Sequence, residues 1–131
     1  MSQENVDLYR KWFDAMTHGD LDAVMAHWDP DILVRTDPGW PEQRIYGREA
    51  VMAWMRDVQE SMGLDFRVDE IVDLGDRVLA RWCWAASGQQ GGIGGELRYS
   101  EIVTYREGRA ILIEHFRDHA QALKAVGLEE E

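Results

Sequence analysis

Apolar positions along the first third of the chain repeat at helical spacing. Val6, Tyr9, Phe13 and Met16 form a stripe that Leu8, Trp12 and Ala15 widen, which predicts an amphipathic helix. Gly19 is placed to end it, and Asp20 to cap a short second helix carrying Leu21, Val24, Met25 and Trp28. Asp29-Pro30-Asp31 reads as the stop. Ile32 to Thr36 reads as a short strand, and Asp37 to Pro41, with two prolines and a glycine, as a loop. Gly47 opens a third helix with Val51, Trp54, Met55, Val58 and Met62 on its inner side, ended by Gly63.

From there the period changes to two. Leu64, Phe66 and Val68 alternate with Asp65, Arg67 and Asp69, and Val78 to Ser87 is a long strand after a Gly75-Asp76 turn. Gly88 to Gly95 is a glycine-rich connection, with no lysine–serine/threonine pair or helix after it to make a phosphate loop. Leu97 to Arg106 and Ala110 to Arg117 form a hairpin about Glu107-Gly108. A last helix starts at Asp118 or His119 and ends at Gly127. The order predicts one α+β domain spanning residues 1–131, a curved and mostly antiparallel sheet closing into a cone, with three helices at one side and a short helix at the end.

The hairpin decides which side chains face the cone. A G1-bulge turn with Gly108 left-handed pairs Tyr105 with Arg109, Glu101 with Ile113 and Tyr99 with His115. The concave face then shows Tyr99, Glu101, Val103, Tyr105, Ile111, Ile113 and His115, joined by Val78, Ala80, Trp82, Trp84 and Ala86. A two-residue turn would set Glu101 against Glu114, which like-charge repulsion disfavours. A carboxylate, Glu101, is thus expected among aromatic rings, where loss of water pushes a carboxyl toward its neutral form and into acid–base range.

The composition narrows the function. The net charge of -11 argues against nucleic acid. A single cysteine, Cys83, rules out an internal disulfide, and no segment reads as a signal or a membrane span, so a cytoplasmic protein is expected. Zinc spacing, a dinucleotide fingerprint and a Ser-His-Asp arrangement are not evident, and neither a metal nor another cofactor is expected. Trp12, Trp28, Trp40, Trp54, Trp82 and Trp84, with Tyr99 and Tyr105, are the candidate ligand walls; each has core packing as its plain alternative. Asp37 can act as a base at the pocket mouth or simply shape the turn before Pro38, and His115 can pair with Glu101 or touch ligand.

The stretches Gly19 to Val24, Trp28 to Ile32, Gly47 to Val51 and Thr104 to Arg109 resemble the SnoaL-like proteins of the nuclear transport factor two-like superfamily. The resemblance spans nearly the whole chain. It implies a cone with a deep pocket, frequent dimers through the outer sheet face, and members that are polyketide cyclases, isomerases, dehydratases or non-catalytic binders. Beside the ketosteroid isomerase branch, Glu101 matches the oxyanion acid, Trp12 stands at the helix tyrosine, and Asp37 lies one residue from the base, where simple alignment puts Thr36. Residues and resemblance together imply a pocket protein for a small apolar or polycyclic carbonyl compound. It is either a cofactor-free cyclase, isomerase or dehydratase using Glu101, Asp37 and His115, or a non-catalytic binder or dimeric interaction module.

Overall fold

The computed structural model describes residues 3–37, 43–62, 66–86 and 95–127, with the side chains of 61–62, 66, 84–86 and 95–97 excepted. Trp40 and the side chain of Trp84 therefore lie outside the described residues. The order is α1 (Gln3–Thr17), α2 (Leu21–Ala26), β1 (Trp28–Arg35), β2 (Arg44–Tyr46), α3 (Arg48–Met62), β3 (Phe66–Asp73), β4 (Arg77–Ala86), β5 (Gly95–Arg106), β6 (Arg109–Phe116) and α4 (His119–Ala125). The strands make one six-stranded sheet in the order β2-β1-β6-β5-β4-β3. Neighbours are antiparallel except β1 and β6, which run parallel. The sheet is not closed: β2 and β3 are its edges.

Local chemistry sets the element ends. Gly19, with φ of 72°, ends α1, and the Asp20 carboxylate accepts from the Ala23 N–H at 3.2 Å to start α2. Asp118 does the same for α4 through Ala120 N–H at 2.9 Å. Gly47, with φ of 90°, turns the chain from β2 into α3 while its N–H bonds the Ile32 carbonyl at 2.8 Å.

The main core lies between the concave sheet face and α1, α2 and α3. It holds Tyr9, Trp12, Phe13 and Met16 from α1, Val24 and Trp28, Val51 and Met52 from α3, and Val78, Ala80, Trp82, Tyr99 and Val103 from the sheet. The predicted assignment of β4 holds, with Val78, Ala80 and Trp82 inward and Leu79 and Cys83 on the other face. On that convex face Leu79 and Ile102 make a second cluster with Ala122 and Leu123 of α4, so the last helix packs across the sheet from the other three.

Three expectations change. Trp28 is the first residue of β1 rather than part of α2: its strand pairs with Ala110 of β6, and the His27 carbonyl accepts from Ala110 N–H at 2.8 Å. Pro30 falls where the β1–β6 register shifts, between Trp28 and Leu33, so its missing N–H breaks no regular ladder. Between Pro41 and Gly47 the sequence pattern predicts no element, and β2 lies there. Its three residues pair with Leu33, Val34 and Arg35 and bury only Ile45.

The third change is the hairpin register. The turn has two central residues, Glu107 and Gly108, with φ of 52° and 79°, the double positive φ of a type I′ turn. Arg106 pairs with Arg109 and Tyr105 with Ala110. Ile111 is then an extra residue, because Thr104 pairs with Leu112, Val103 with Ile113 and Glu101 with His115. The bulge carries the ladder past the Glu101–Glu114 apposition that the turn alone would impose. Ile113 and His115 stay on the concave face, whereas Ala110, not Ile111, fills the concave position near the turn.

Candidate functional site

The site is built from α1, α3 and the middle of the sheet. On α1 the spacing of Tyr9, Trp12, Phe13 and Met16 brings all of them to one face. On α3, Trp54, Met55, Val58 and Gln59 fall on adjoining turns above the sheet. Strand alternation delivers Trp82 from β4, Tyr99, Glu101, Val103 and Tyr105 from β5, and Ile113 and His115 from β6. Ala80 is the direct cross-strand neighbour of Glu101. A methyl group there leaves room for a carboxylate that a larger side chain would take.

Glu101 is 2% exposed. Burying a carboxylate without partners is prohibitive, and both its oxygens have one. Tyr9 Oη donates to Oε2 at 2.5 Å, and His115 Nε2 lies 3.2 Å from Oε1. Tyr9 is wholly buried. Burial first, and then the neighbouring Glu101 charge, push its pKa well above the ordinary tyrosine value, so it remains a donor at all ordinary pH. The same two causes, in the same order, raise Tyr105. With the carboxylate accepting, His115 donates from Nε2, which leaves Nδ1 as its basic nitrogen. The imidazole is held within a ring cluster: Trp54 at 5.9 Å, Tyr99 at 6.1 Å and Trp82 at 6.5 Å between centroids.

Glu101 and His115 form the polar corner of a cavity lined by Trp12, Met16, Trp54, Met55, Val58, Gln59 and Trp82. The volume open to a water's centre is about 50 Å3, within about 390 Å3 of free space counted out to the mouth. Of the lining residues, Trp12 and Gln59 each carry a buried N–H, Nε1 and Nε2, with no hydrogen-bond partner among the described residues. A buried donor left unserved costs about 1–3 kcal/mol, and such groups call for an explanation.

The candidates fall into groups. Trp12, Trp54, Trp82, Glu101 and His115 meet at the cavity. Trp28 and Tyr105 line a smaller void of about 10 Å3 beside it, with Tyr9, Trp12, Val103 and Ile113. Tyr99 supports the site with its ring tilted against that of Trp82, 5.2 Å between centroids. Asp37 does not line the cavity. It is 8% exposed, at the end of β1, and its Oδ1 accepts from the Arg117 N–H at 3.2 Å, tying β1 to the exit of β6. Tyr9 and Gln59 were not singled out by sequence. Tyr9 carried the signal of a hydroxyl on an otherwise apolar stripe; Gln59 adjoins Val58, four residues after Met55.

An unclosed, curved six-stranded sheet with helices over its concave face defines a cone-shaped α+β fold. The chain belongs to the SnoaL-like domain family, whose family model matches residues 9–113. No curated protein matches the sequence. Solved structures share the fold at low identity. An NTF2-like protein of unknown function from Burkholderia pseudomallei is 21% identical, with a TM-score of 0.73, over 94% of this chain and 97% of that one. TerC, co-crystallised with polyporic acid, is 17% identical with a TM-score of 0.75, over 95% and 98%. A protein from Jannaschia sp. CCS1 described as a SnoaL-like polyketide cyclase is 18% identical with a TM-score of 0.74, over 98% and 95%.

Proposed function

We propose that the protein binds a small, neutral carbonyl compound in this cavity and moves a proton at the carbon next to the carbonyl, as a cofactor-free isomerase, cyclase or lyase would. The observation that carries the reading is the Glu101–His115 pair at the corner of an otherwise apolar, aromatic pocket. A positioned base in a dry site contributes about 10²–10⁴-fold to proton transfer. His115 Nδ1 takes the proton, Glu101 steadies the imidazolium, and the same nitrogen returns the proton to the enolate at carbon or oxygen. Tyr9 keeps the carboxylate oriented. Asp37, occupied with Arg117, is left out of the chemistry. The small volume counts against a polycyclic ligand.

A second reading has its own support: both oxygens of Glu101 already have partners, as a purely structural carboxylate in a non-catalytic binder would. Exchange of the C2 protons of indan-1-one in D2O, followed by NMR, separates the two. Acceleration over buffer by the wild type, lost about a hundredfold or more in Glu101→Gln and His115→Phe, supports proton transfer. Saturable quenching of tryptophan fluorescence by the same ketone without acceleration leaves the binder, and rejects the enzyme for this ketone.

A further inference from the structure

A second pocket, with about 180 Å3 open to a water's centre, is built on other residues. Strand alternation sends Arg81, Arg98 and Ser100 to the sheet face opposite Ala80, Trp82 and Glu101. Arg81 and Ser100 are direct cross-strand partners, and Arg98 lies two residues away along β5. Arg117 and His119 line the same pocket from the exit of β6 and the start of α4. The basic groups thus converge from three parts of the chain, in a protein with 25 acidic residues against 14 basic ones. Carboxylates do little to offset them. Asp69, the one acidic residue among the described residues lining the pocket, is engaged by Arg67 at 2.9 Å. Glu70 stands 4.0 Å from Arg81, and the Asp118 carboxylate is turned to the Ala120 N–H. Ser100 is 2% exposed, and its Oγ lies 2.6 Å from His119 Nδ1. With serine donating, the neutral ring carries its proton on Nε2 and is itself a donor.

We infer that this outer pocket binds the phosphoryl group of a small molecule. The site is separate from the Glu101–His115 cavity and does not depend on the function proposed for it. Guanidinium groups gathered at one rim repel one another, and an oxyanion among them replaces that repulsion with attraction. Each guanidinium meets an oxyanion with a fork of N–H donors. One such fork occupies both oxygens of a carboxylate. Three forks with an imidazole beside them match an anion with more oxygens and more charge, which a phosphoryl group has and a carboxylate lacks. Trp82 and Tyr99 also border the pocket, and their rings offer the organic part of a phosphate ester an apolar surface. A nucleic acid or an anionic membrane meets repulsion from the rest of a chain of net charge -11. A single phosphoryl group is governed by the arginines closest to it, because salt screens the more distant carboxylates.

The experiment titrates 15N-labelled protein with inorganic phosphate and with phenyl phosphate, the ionic strength held constant with sodium chloride, and follows the backbone amide signals. Saturable shifts are expected at Arg98 to Ser100 and at Arg117 to His119. Arg81→Gln and Arg98→Gln alter exposed positions, so the fold is retained, as an unchanged far-ultraviolet spectrum will show. Each is expected to weaken binding about tenfold or more, the loss of a charge-assisted hydrogen bond. Arg81→Lys, which keeps the charge and removes the fork, is expected to lose part of that. Arg10→Gln, an exposed arginine of α1, removes the same charge away from the pocket and is expected to leave binding unchanged. Tighter binding of phenyl phosphate supports the inference with a phosphate ester as the source, and equal binding supports it with free phosphate as the source. Shifts that chloride alone reproduces, affinity that survives both Arg81→Gln and Arg98→Gln, or equal weakening by Arg10→Gln overturns the inference and leaves the reading of the cavity as it stands.

Discussion

Glu101 and His115 are direct partners across the β5–β6 ladder, and their side chains meet inside the cone at 3.2 Å. Cross-strand neighbours point the same way and stand about 5 Å apart at Cβ, so a carboxylate and an imidazole there reach each other without bending the backbone. The site is thus a property of register, fixed by the sheet rather than by a loop.

Tyr9 is the third member of this arrangement, and its hydroxyl tests how much the carboxylate depends on it. Tyr9→Phe removes a donor from a buried charge while leaving the ring. A loss of about 1–3 kcal/mol is expected, seen as a lower urea midpoint with an unchanged slope. An unchanged midpoint would mean that water takes the place of the phenol.

Alkaline pH offers a second test. Tyr9 and Tyr105 both have pKa values raised above the unfolded value of 10.0, by burial first and by Glu101 second. The unfolded chain then releases protons that the folded chain retains. Their contribution is fully present below pH 10 and is lost as pH climbs from 10 toward the folded values, at about 1.4 kcal/mol per pH unit for each tyrosine. Urea midpoints measured from pH 9 to 11.5 should fall less steeply in Tyr105→Phe than in the wild type. Parallel curves would count against Tyr105 retaining its proton.

Asp37 should separate stability from chemistry. Its carboxylate holds the Arg117 N–H, so Asp37→Ala is expected to cost about 1 kcal/mol, a fall of a few degrees in Tm. The rate of indan-1-one proton exchange should not change. A hundredfold drop in exchange, with the fold intact, would return Asp37 to the role of base.

The hairpin turn can be tested at Gly108. An added Cβ meets nothing within 4 Å, yet the φ of 79° is one that L side chains rarely adopt. Gly108→Ala is therefore expected to cost about 1–2 kcal/mol through backbone strain alone, read as a fall in Tm with the far-ultraviolet spectrum retained.

Much of this was legible in the chain. The α1 stripe, the inner side of α3 and the alternation of β4 and β5 follow from periodicity, and they sufficed to put Glu101, Trp12, Trp54 and Trp82 on one pocket. Trp28 misled because an apolar ring just before Asp29-Pro30-Asp31 suits the last turn of a helix as well as the first residue of a strand. β2 was hidden by its length: Ile45 is its one inward residue, and a single position has no period. The Ile111 bulge left no mark, since one more β-branched residue in a β-rich strand looks the same whether paired or extra. Tyr9 was read as core, which it is, but its bond to a residue 92 positions away depends on how α1 is set across the sheet, which no local pattern encodes.

The turn and the bulge also say something about what the site can survive. A strand has only two sides, so the inside and outside of β6 depend on whether the residues between β5 and each later position make an odd or an even number. The tight turn shifts that parity once and Ile111 shifts it back, so two local irregularities cancel, and His115 returns to the interior. Neither is tolerable alone: remove one and every side chain from Leu112 to Phe116 trades faces or the ladder must slip. A loop with a bulged third residue, joined to a strand lacking Ile111, would restore the balance by a different route. The position of the imidazole is thus a checksum over the hairpin, and sequences that differ at both places can still compute the same pocket.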